Sequence, residues 1–574
     1  MIGYAIGIGN VWRFPYLCGR YGGGAFMFAY LVSLVCIAAP LFIFETVLGH
    51  KFQKGPVETF SKMYPPWKGI AYVSVIMTVF LLSYYQMLIG WALVYFVRSF
   101  SAPLPWDPRA CGGCTTKEYY ERTVLNEANF GDTGAWAVEG ELFFALFAVW
   151  CITWLALANG KSFLGKIAYF TVLFPVFLII VIFFKAITLP GAGRGVAYYI
   201  TPQFEYLFRA DTWGAAASQI LFSLSPGMGT AIALSSFHPP SYDQLLADNV
   251  LVICSNSGFS IFGGFAVFAI VGYLAEARGV EVAEVASAGA GLAFEVFAEV
   301  MTLFPGAAAP FFSFCFFFML LLLGLDSGFA WAETLQTYAI DWIQANNPQR
   351  RITGKLTKQV LTGISVALFL PGIIFSTRVG PKLLDVVDHF CPTYTLLFVS
   401  LTEYILIAYK YGAEQMIEDL EKAASPGLKR FIYPRALAIQ MKYVGPVGVG
   451  FILFMSLIDE FSGSTLKVNS GGYWTYQGYP TGIIIFLGWG SVVLPLGYFL
   501  WTVWKFQIRW ALGQLWARAT FGNRRRYVAG PGHGEAVGGG YPHGLAAPAV
   551  VGRVSEKLPE HPRHRTGGAE GSAT

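Results

Sequence analysis

Two segments of this chain combine apolar composition with residues that an uninterrupted membrane helix does not need. The first runs Gly3-Tyr4-Ala5-Ile6-Gly7-Ile8-Gly9-Asn10 and continues Val11-Trp12-Arg13-Phe14-Pro15-Tyr16. The second runs Gln219-Ile220-Leu221-Phe222-Ser223-Leu224-Ser225-Pro226-Gly227-Met228-Gly229-Thr230. Glycine weakens a helix, proline removes an amide donor, and an ionisable group near the bilayer centre costs roughly 2.5–3.5 kcal/mol on insertion scales. Such costs are understandable where the helix is broken, so that bare carbonyls and amides can meet ions and substrate. Taken alone, the second segment could equally be a proline kink. Two breaks at corresponding places, five spans apart, are the pattern of an inverted-repeat transporter. Asn256-Ser257-Gly258-Phe259-Ser260 and Gly324-Leu325-Asp326-Ser327-Gly328 add amide, hydroxyl and backbone oxygens inside apolar runs. These are hard ligands without thiols, and the scarcity of carboxylates suits a monovalent cation better than calcium. Asp326 alone could instead carry a proton. For each of these residues the plainer alternative is an interhelical hydrogen bond.

The elements that must position them are membrane helices. Charged residues are 13% of the 574, against about 25% in a soluble domain, and 55% are hydrophobic. Net charge of +5 gives no case for nucleic acid. Apolar runs long enough to span a bilayer recur at 23–48, 67–98, 139–158, 164–188, 213–237, 249–277, 310–345, 355–376, 382–410, 438–459 and 479–505, twelve with the opening segment. Lys51, Lys54, Lys62, Lys68, Lys161, Lys166, Arg350, Arg351, Lys355, Lys358, Lys429, Arg430, Arg435 and Arg524-Arg525-Arg526 all fall on one side, which the positive-inside rule makes cytoplasmic. The first span carries Asn and Arg where a cleavable signal would be apolar. Cys111 and Cys114, in the outer loop, suit a small disulfide or two free thiols better than half a zinc site; the other six cysteines read as buried thiols. Residues 527–574 read as a disordered tail, and no N-glycosylation sequon is present.

The opening segment, Gly22-Gly23-Gly24-Ala25-Phe26, the Gln-Ile-x-Phe-Ser run at 219–223 and Gly324-Leu325-Asp326-Ser327 resemble the neurotransmitter:sodium symporter family. Thr188-Leu189-Pro190-Gly191-Ala192, Tyr199-Ile200-Thr201-Pro202 and Gly289-Ala290-Gly291-Leu292-Ala293-Phe294 extend the resemblance, which runs to about residue 510. It implies an all-α membrane protein of twelve transmembrane helices. The arrangement would be a 5+5 inverted repeat with helices 1 and 6 broken, the fold of the bacterial leucine transporter. It implies a transporter domain over 1–510 with an outer loop at 99–138, and a cytoplasmic tail over 511–574.

By the same resemblance, one sodium ion is held by the Ala5 carbonyl with Asn10, Ser223 and Asn256. A second is held by carbonyls of Gly3, Ile6 and Leu323 with Asp326 and Ser327. Chloride-dependent members carry Ser where chloride-independent relatives carry Glu, and Ser260 stands there, joined by Tyr30, Gln219 and Ser223. Substrate lies against Tyr4, Ala5, Ile8, Gly9, Tyr85, Phe222, Ser225 and Ser327. Monoamine transporters carry Asp at the position of Gly7, so Gly7 points to a substrate that brings its own carboxylate. Trp331 stands where relatives mostly have a smaller residue. It points to a short substrate such as glycine, alanine or proline, or else faces lipid or a neighbouring helix. Arg13 and Asp388 form the outer gate above an aromatic lid of Phe222 and Tyr85, and Asp341 belongs to the cytoplasmic gate. Its arginine partner in the family precedes the first span. Here only Met1 and Ile2 precede Gly3, so a start at an internal methionine is expected.

The implied activity is sodium- and chloride-coupled symport of a small zwitterion across the plasma membrane, with both termini cytoplasmic. The alternative is a sensor or channel of the same fold that does not complete the cycle. An enzyme would need a nucleophile beside a base, or a His and carboxylate cluster, within the spans. His238 is loop-borne and His389 stands alone beside Asp388, so no enzyme and no organic cofactor are expected. Oligomeric state is not legible.

Overall fold

The computed structural model describes residues 1–286, 294–304, 306, 308–430, 432–461 and 479–521. Gly289–Ala293 of the family motif, the Arg524–Arg526 cluster and the tail from 527 lie outside the described residues. The described chain is helical, and its extended pairing is limited to the isolated bridges Gly23–Pro202 and Val138–Thr377.

Four short opening and central helices and eleven longer ones carry the argument. The chain opens with α1 (Ile2–Ala5), α2 (Ile8–Val11) and α3 (Arg13–Arg20). Then come α4 (Gly24–Phe52), α5 (Pro65–Arg98), α6 (Gly140–Ala158) and α7 (Gly165–Ala186). A second interrupted stretch follows as α8 (Ala210–Leu224) and α9 (Thr230–Ser235). The remainder is α10 (Leu245–Arg278), α11 (Ala308–Asn346), α12 (Gly354–Ser376), α13 (Gly380–Lys422), α14 (Pro434–Ile458) and α15 (Thr481–Ile508). Ten of these, α4–α7 and α10–α15, are long and apolar enough to cross a membrane. Each matches an apolar run expected from sequence. The run at 213–237 is divided instead between α8 and α9, because the chain leaves helical geometry at Ser225 and returns at Thr230. Residues Met1–Ala511 form one compact unit, and residues 512–521 are helical in a unit of their own.

Burial sorts the helices into an inner and an outer set. The apolar windows of α5, α10, α11 and α13 are mostly buried, whereas those of α7, α12, α14 and α15 are largely exposed. Phe170, Leu173, Phe177 and Phe184 on α7 and Val493, Leu494, Leu500 and Trp504 on α15 are all exposed. Apolar surface this extensive belongs against lipid. Without water as competitor, helices associate through small residues that let backbones approach. The short helix Ala192–Ile200 shows this where it meets α10: a Cβ on Gly195 would sit 1.8 Å from the Phe268 carbonyl oxygen and 2.7 Å from the Gly272 nitrogen. A Cβ on the neighbouring Gly193 would meet nothing within 4 Å. Gly195→Ala is therefore expected to lower the melting temperature of detergent-purified protein, since overpacking costs about 1–3 kcal/mol. Gly193→Ala should leave it unchanged. Equal melting of the two variants would contradict this contact.

Candidate ion and substrate site

The first break is two residues long. Helix α1 ends at Ala5, Ile6 (ψ 96°) and Gly7 (ψ −177°) are extended, and α2 restarts at Ile8. Asn10 caps the restart, its Oδ1 accepting the Gly7 amide at 3.0 Å. In the second break Ser225 (φ 53°), Gly227 (φ 83°) and Gly229 (φ 72°) are all left-handed, the conformation glycine tolerates best. The Gly227 amide donates to Glu45 of α4 at 2.6 Å, and the Tyr4 hydroxyl donates to the Ser225 carbonyl at 3.3 Å. That last bond ties one break to the other.

Between the breaks lies a cavity of about 30 Å³. Seven of the eight residues expected around substrate line it: Tyr4, Ala5, Gly9, Tyr85, Phe222, Ser225 and Ser327. Ile8 stands behind it, its side chain so close to α11 that a Cβ on Gly324 would lie 2.8 Å from Ile8 Cδ1. What Ile8 turns toward the Tyr85 hydroxyl is its backbone. Gly7, Asn10, Gln219, Ser223 and Trp331 complete the wall. A Cβ on Gly7 would lie 2.9 Å from Ser327 Oγ and 3.5 Å from the Tyr85 oxygen. Trp331 is buried and packs edge-to-face on Tyr85 at 4.7 Å between centroids, so it faces the cavity and not lipid.

The oxygen-rich residues expected to hold ions meet at the rim. Asn10 Nδ2 donates to Asn256 Oδ1 (2.7 Å), Ser260 Oγ (2.8 Å), the Asn256 carbonyl (3.3 Å) and Ser223 Oγ (3.4 Å), and Ser223 donates to Asn256 Oδ1 at 3.0 Å. Ala5, of the same expected set, lines the adjoining cavity. Tyr30 reaches Ser257 at 3.2 Å, and Ser260 donates to the Asn256 carbonyl at 3.2 Å. Gln219 Oε1 is buried without a partner. On the other side, Gly3 closes on Asp326: a Cβ there would lie 2.5 Å from Asp326 Oδ2. Ser327 donates to the Tyr4 carbonyl at 3.3 Å, and Leu323 and Ile6 are buried close by in sequence.

The two residues expected to form the outer gate, closing above the substrate when both sites are filled, lie close together. Arg13 and Asp388 share the wall of an outer cavity of about 170 Å³ but form no ion pair. Arg13 lies over the Phe222 ring at 5.0 Å, and Asp388 accepts the Tyr84 hydroxyl at 2.6 Å. Cation–π attraction and a charged hydrogen bond hold each group apart. In the same cavity Glu460, in the last turn of the helix Gly445–Phe461, accepts the Tyr394 hydroxyl at 2.9 Å and lies 3.1 Å from His389 Nε2. On the opposite side Asp341 accepts the Gly55 amide at 2.7 Å and lies 3.5 Å from Lys54. Cys111 and Cys114 are disulfide-bonded. Sequence reasoning missed Glu45, Tyr84, Lys54 and Gly55. Only Glu45 carried a signal, as an ionisable residue within an apolar run.

A cavity held between two broken helices, rimmed by amide and hydroxyl oxygens and enclosed by apolar helices, defines a membrane transporter of small polar cargo. A sequence model of the sodium:neurotransmitter symporter family matches residues 1–116 and 112–505, and the chain belongs to that family. It is 34% identical over 450 residues to the sodium- and chloride-dependent GABA transporter 2 of Macaca fascicularis, covering 73% of this chain and 71% of the relative. It is 33% identical over 498 residues to the sodium- and chloride-dependent glycine transporter 1 of Xenopus laevis, covering 80% and 76%.

The closeness of Gly7 to Ser327 and Tyr85 yields an expectation. Gly7→Ala should weaken sodium-dependent binding of substrate to purified protein about tenfold or more, equivalent to about 1.4 kcal/mol. Unchanged affinity would remove Gly7 from the site.

Proposed function

We propose that this protein is a sodium- and chloride-coupled symporter that imports a small zwitterionic amino acid by alternating access. The fold would have twelve helices in the leucine-transporter arrangement, the two interrupted stretches being spans 1 and 6. The observation that carries the reading is the single cluster in which Asn10 meets Ser223, Asn256 and Ser260 beside a cavity walled by Tyr85 and Ser327. Asn10, Asn256, Ser223 and the Ala5 carbonyl supply one sodium site. Asp326, Ser327 and carbonyls of Gly3, Ile6 and Leu323 supply the other. Tyr30, Gln219, Ser223 and Ser260 take chloride. The reasoning is electrostatic: hydroxyls and amides carry no net charge, so a mobile anion balances the cation where no fixed carboxylate does. The substrate carboxylate meets the Ile8 and Gly9 amides, the Tyr85 hydroxyl and the first sodium ion. Arg13, Asp388 and Asp341 act as gates, Asp341 working against Lys54 and Gly55. The protein resides in the plasma membrane with both termini in the cytoplasm.

The gradients are sufficient. Two sodium ions and one chloride with a zwitterion move one net charge, worth about 2.3 kcal/mol per 100 mV. Three tenfold ion gradients add about 1.4 kcal/mol each, roughly 6.5 kcal/mol in all. The relatives are transporters by name, and no observation favours the sensor reading.

The test is uptake of labelled glycine, with other amino acids as competitors, into cells or proteoliposomes, replacing sodium and then chloride. Concentrative uptake that needs both ions is expected; substrate-gated current without accumulation would overturn the proposal. Ser260→Glu should make uptake independent of chloride while sodium dependence persists. A variant that still required chloride would remove Ser260 from the anion site.

A further inference from the structure

Two carboxyl groups that the ion and substrate site does not use are buried at the second break. Glu45 on α4 and Glu403 on α13 are both 0% exposed, within helices apolar enough to cross a membrane. Glu45 spends one oxygen, Oε1, on the Gly227 amide at 2.6 Å. Its Oε2 and both oxygens of Glu403 have no donor among the described residues. Yet the two side chains are hydrogen-bond neighbours of each other. Helix α13 also closes on Gly227 itself. A Cβ there would lie 3.1 Å from both Leu396 Cδ1 and Ser400 Oγ, on the turns that precede Glu403. Both helices therefore meet the break at one residue.

Donor counting decides what joins the pair. An ionised carboxylate only accepts, so two of them in contact have no hydrogen bond to share. Buried together without a cation they would also repel, and each would forfeit its hydration. Among the described residues no lysine, arginine or histidine approaches either group. The other titratable groups close to the pair are phenols. Tyr4 on α1 feels the charge of Glu45 and donates to the Ser225 carbonyl. Tyr404, next to Glu403 in the chain, donates to the Ile37 carbonyl at 2.6 Å. From α5 and α14 come Thr78 and Gln440, which do not titrate. A single proton meets every requirement: protonated Glu403 donates to Glu45 Oε2, and Glu45 keeps Oε1 for Gly227.

We infer that Glu45 and Glu403 form a proton-binding site, one proton shared between two carboxyl groups, which latches the second break to α13. Releasing that proton to water sets two like charges against each other, and Gly227 is tied to one of them. Ser225, two residues before Gly227, lines the substrate cavity. Deprotonation therefore loosens the cavity wall and weakens cargo binding, and bound cargo in turn strengthens the hold on the proton. Neither carboxyl group belongs to the ion sites at Asn10 and Asp326.

Infrared spectroscopy of the purified full chain reads the proton directly. The native protein should show the carbonyl stretch of a protonated carboxyl group, shifting on deuteration. That band should be missing from Glu403→Gln and from Glu45→Gln, because in each the new amide donates and the surviving carboxyl group ionises. A band unchanged in both variants overturns the proton site, whether the pair is bare or holds a metal cation. Sodium-dependent glycine binding to the same preparations reads the coupling, and this arm rests on the symporter reading above. Between about pH 7 and about pH 9 native affinity should fall about tenfold relative to Glu403→Gln, whose amide donates at every pH. Taking the ratio cancels the titration of glycine itself. Parallel profiles overturn the coupling. Glu45→Gln serves in both arms if Glu403→Gln does not fold. No sodium-dependent glycine binding by the native protein overturns the symporter reading, and the infrared arm still decides the proton site.

Discussion

The rest of the site depends on how backbone groups released by two helix breaks find partners where no water is at hand. An unsatisfied amide in hydrocarbon costs several kcal/mol, so a break survives only if the surrounding protein supplies the missing acceptor or donor. At the first break Asn10 takes the Gly7 amide; at the second Glu45 takes the Gly227 amide. The Tyr4 hydroxyl serves the Ser225 carbonyl, and the Ser327 hydroxyl serves the Tyr4 carbonyl. Helices α4 and α11 thus brace the broken segments by side-chain hydrogen bonds and not by packing alone. On the reading proposed above, ion and substrate take up the backbone groups that the breaks leave over.

Most of this was legible in the sequence because helix breaking is a local property. Gly7 and Gly9 around Ile8, and Pro226 between Ser225 and Gly227, weaken the helix by residue type, and their recurrence five spans apart reads as two breaks and not as a lone proline kink. The ten long helices were legible for the same reason, since length and apolar composition are one-dimensional. The partners that close the breaks were less visible. Glu45 lies 182 residues from Gly227, and nothing in its own neighbourhood names its target. Long-range pairing is information held by the fold.

The proposed gate residues show the same limit more sharply. Residue type and family position bring Arg13 and Asp388 to one cavity, but not into contact. Which partner each takes depends on competition among neighbours a few ångströms apart. The Phe222 ring and the Tyr84 hydroxyl win here, and Tyr84 could not be preferred over Tyr85 from adjacent letters in a helix. Asp341 makes the converse point. Its contacts come from Lys54 and the Gly55 amide, in the connection between α4 and α5, so the inner carboxylate is engaged by a loop that sequence reasoning had used only to orient the protein. Sequence alone leaves Trp331 between pocket and lipid, because α11 is apolar around most of its circumference and carries no strong stripe to read.

On the proposed reading, Asn10 is where ion binding and substrate binding become one problem. One end of its amide holds the Gly7 N–H and so sets the geometry of the first break. The other end reaches Asn256, Ser223 and Ser260, on α10 and α8. A cation drawn to these oxygens must compete for the Asn10 carbonyl oxygen or reorient its amide, and either change is felt at Gly7, whose Cα faces Ser327 and Tyr85 across the cavity. On that reading the same few ångströms would carry ion occupancy to the shape of the substrate pocket without any relay through the helices. Coupling through a shared ligand is reciprocal by thermodynamic necessity, so whatever factor the ion applies to cargo affinity, cargo applies to ion affinity.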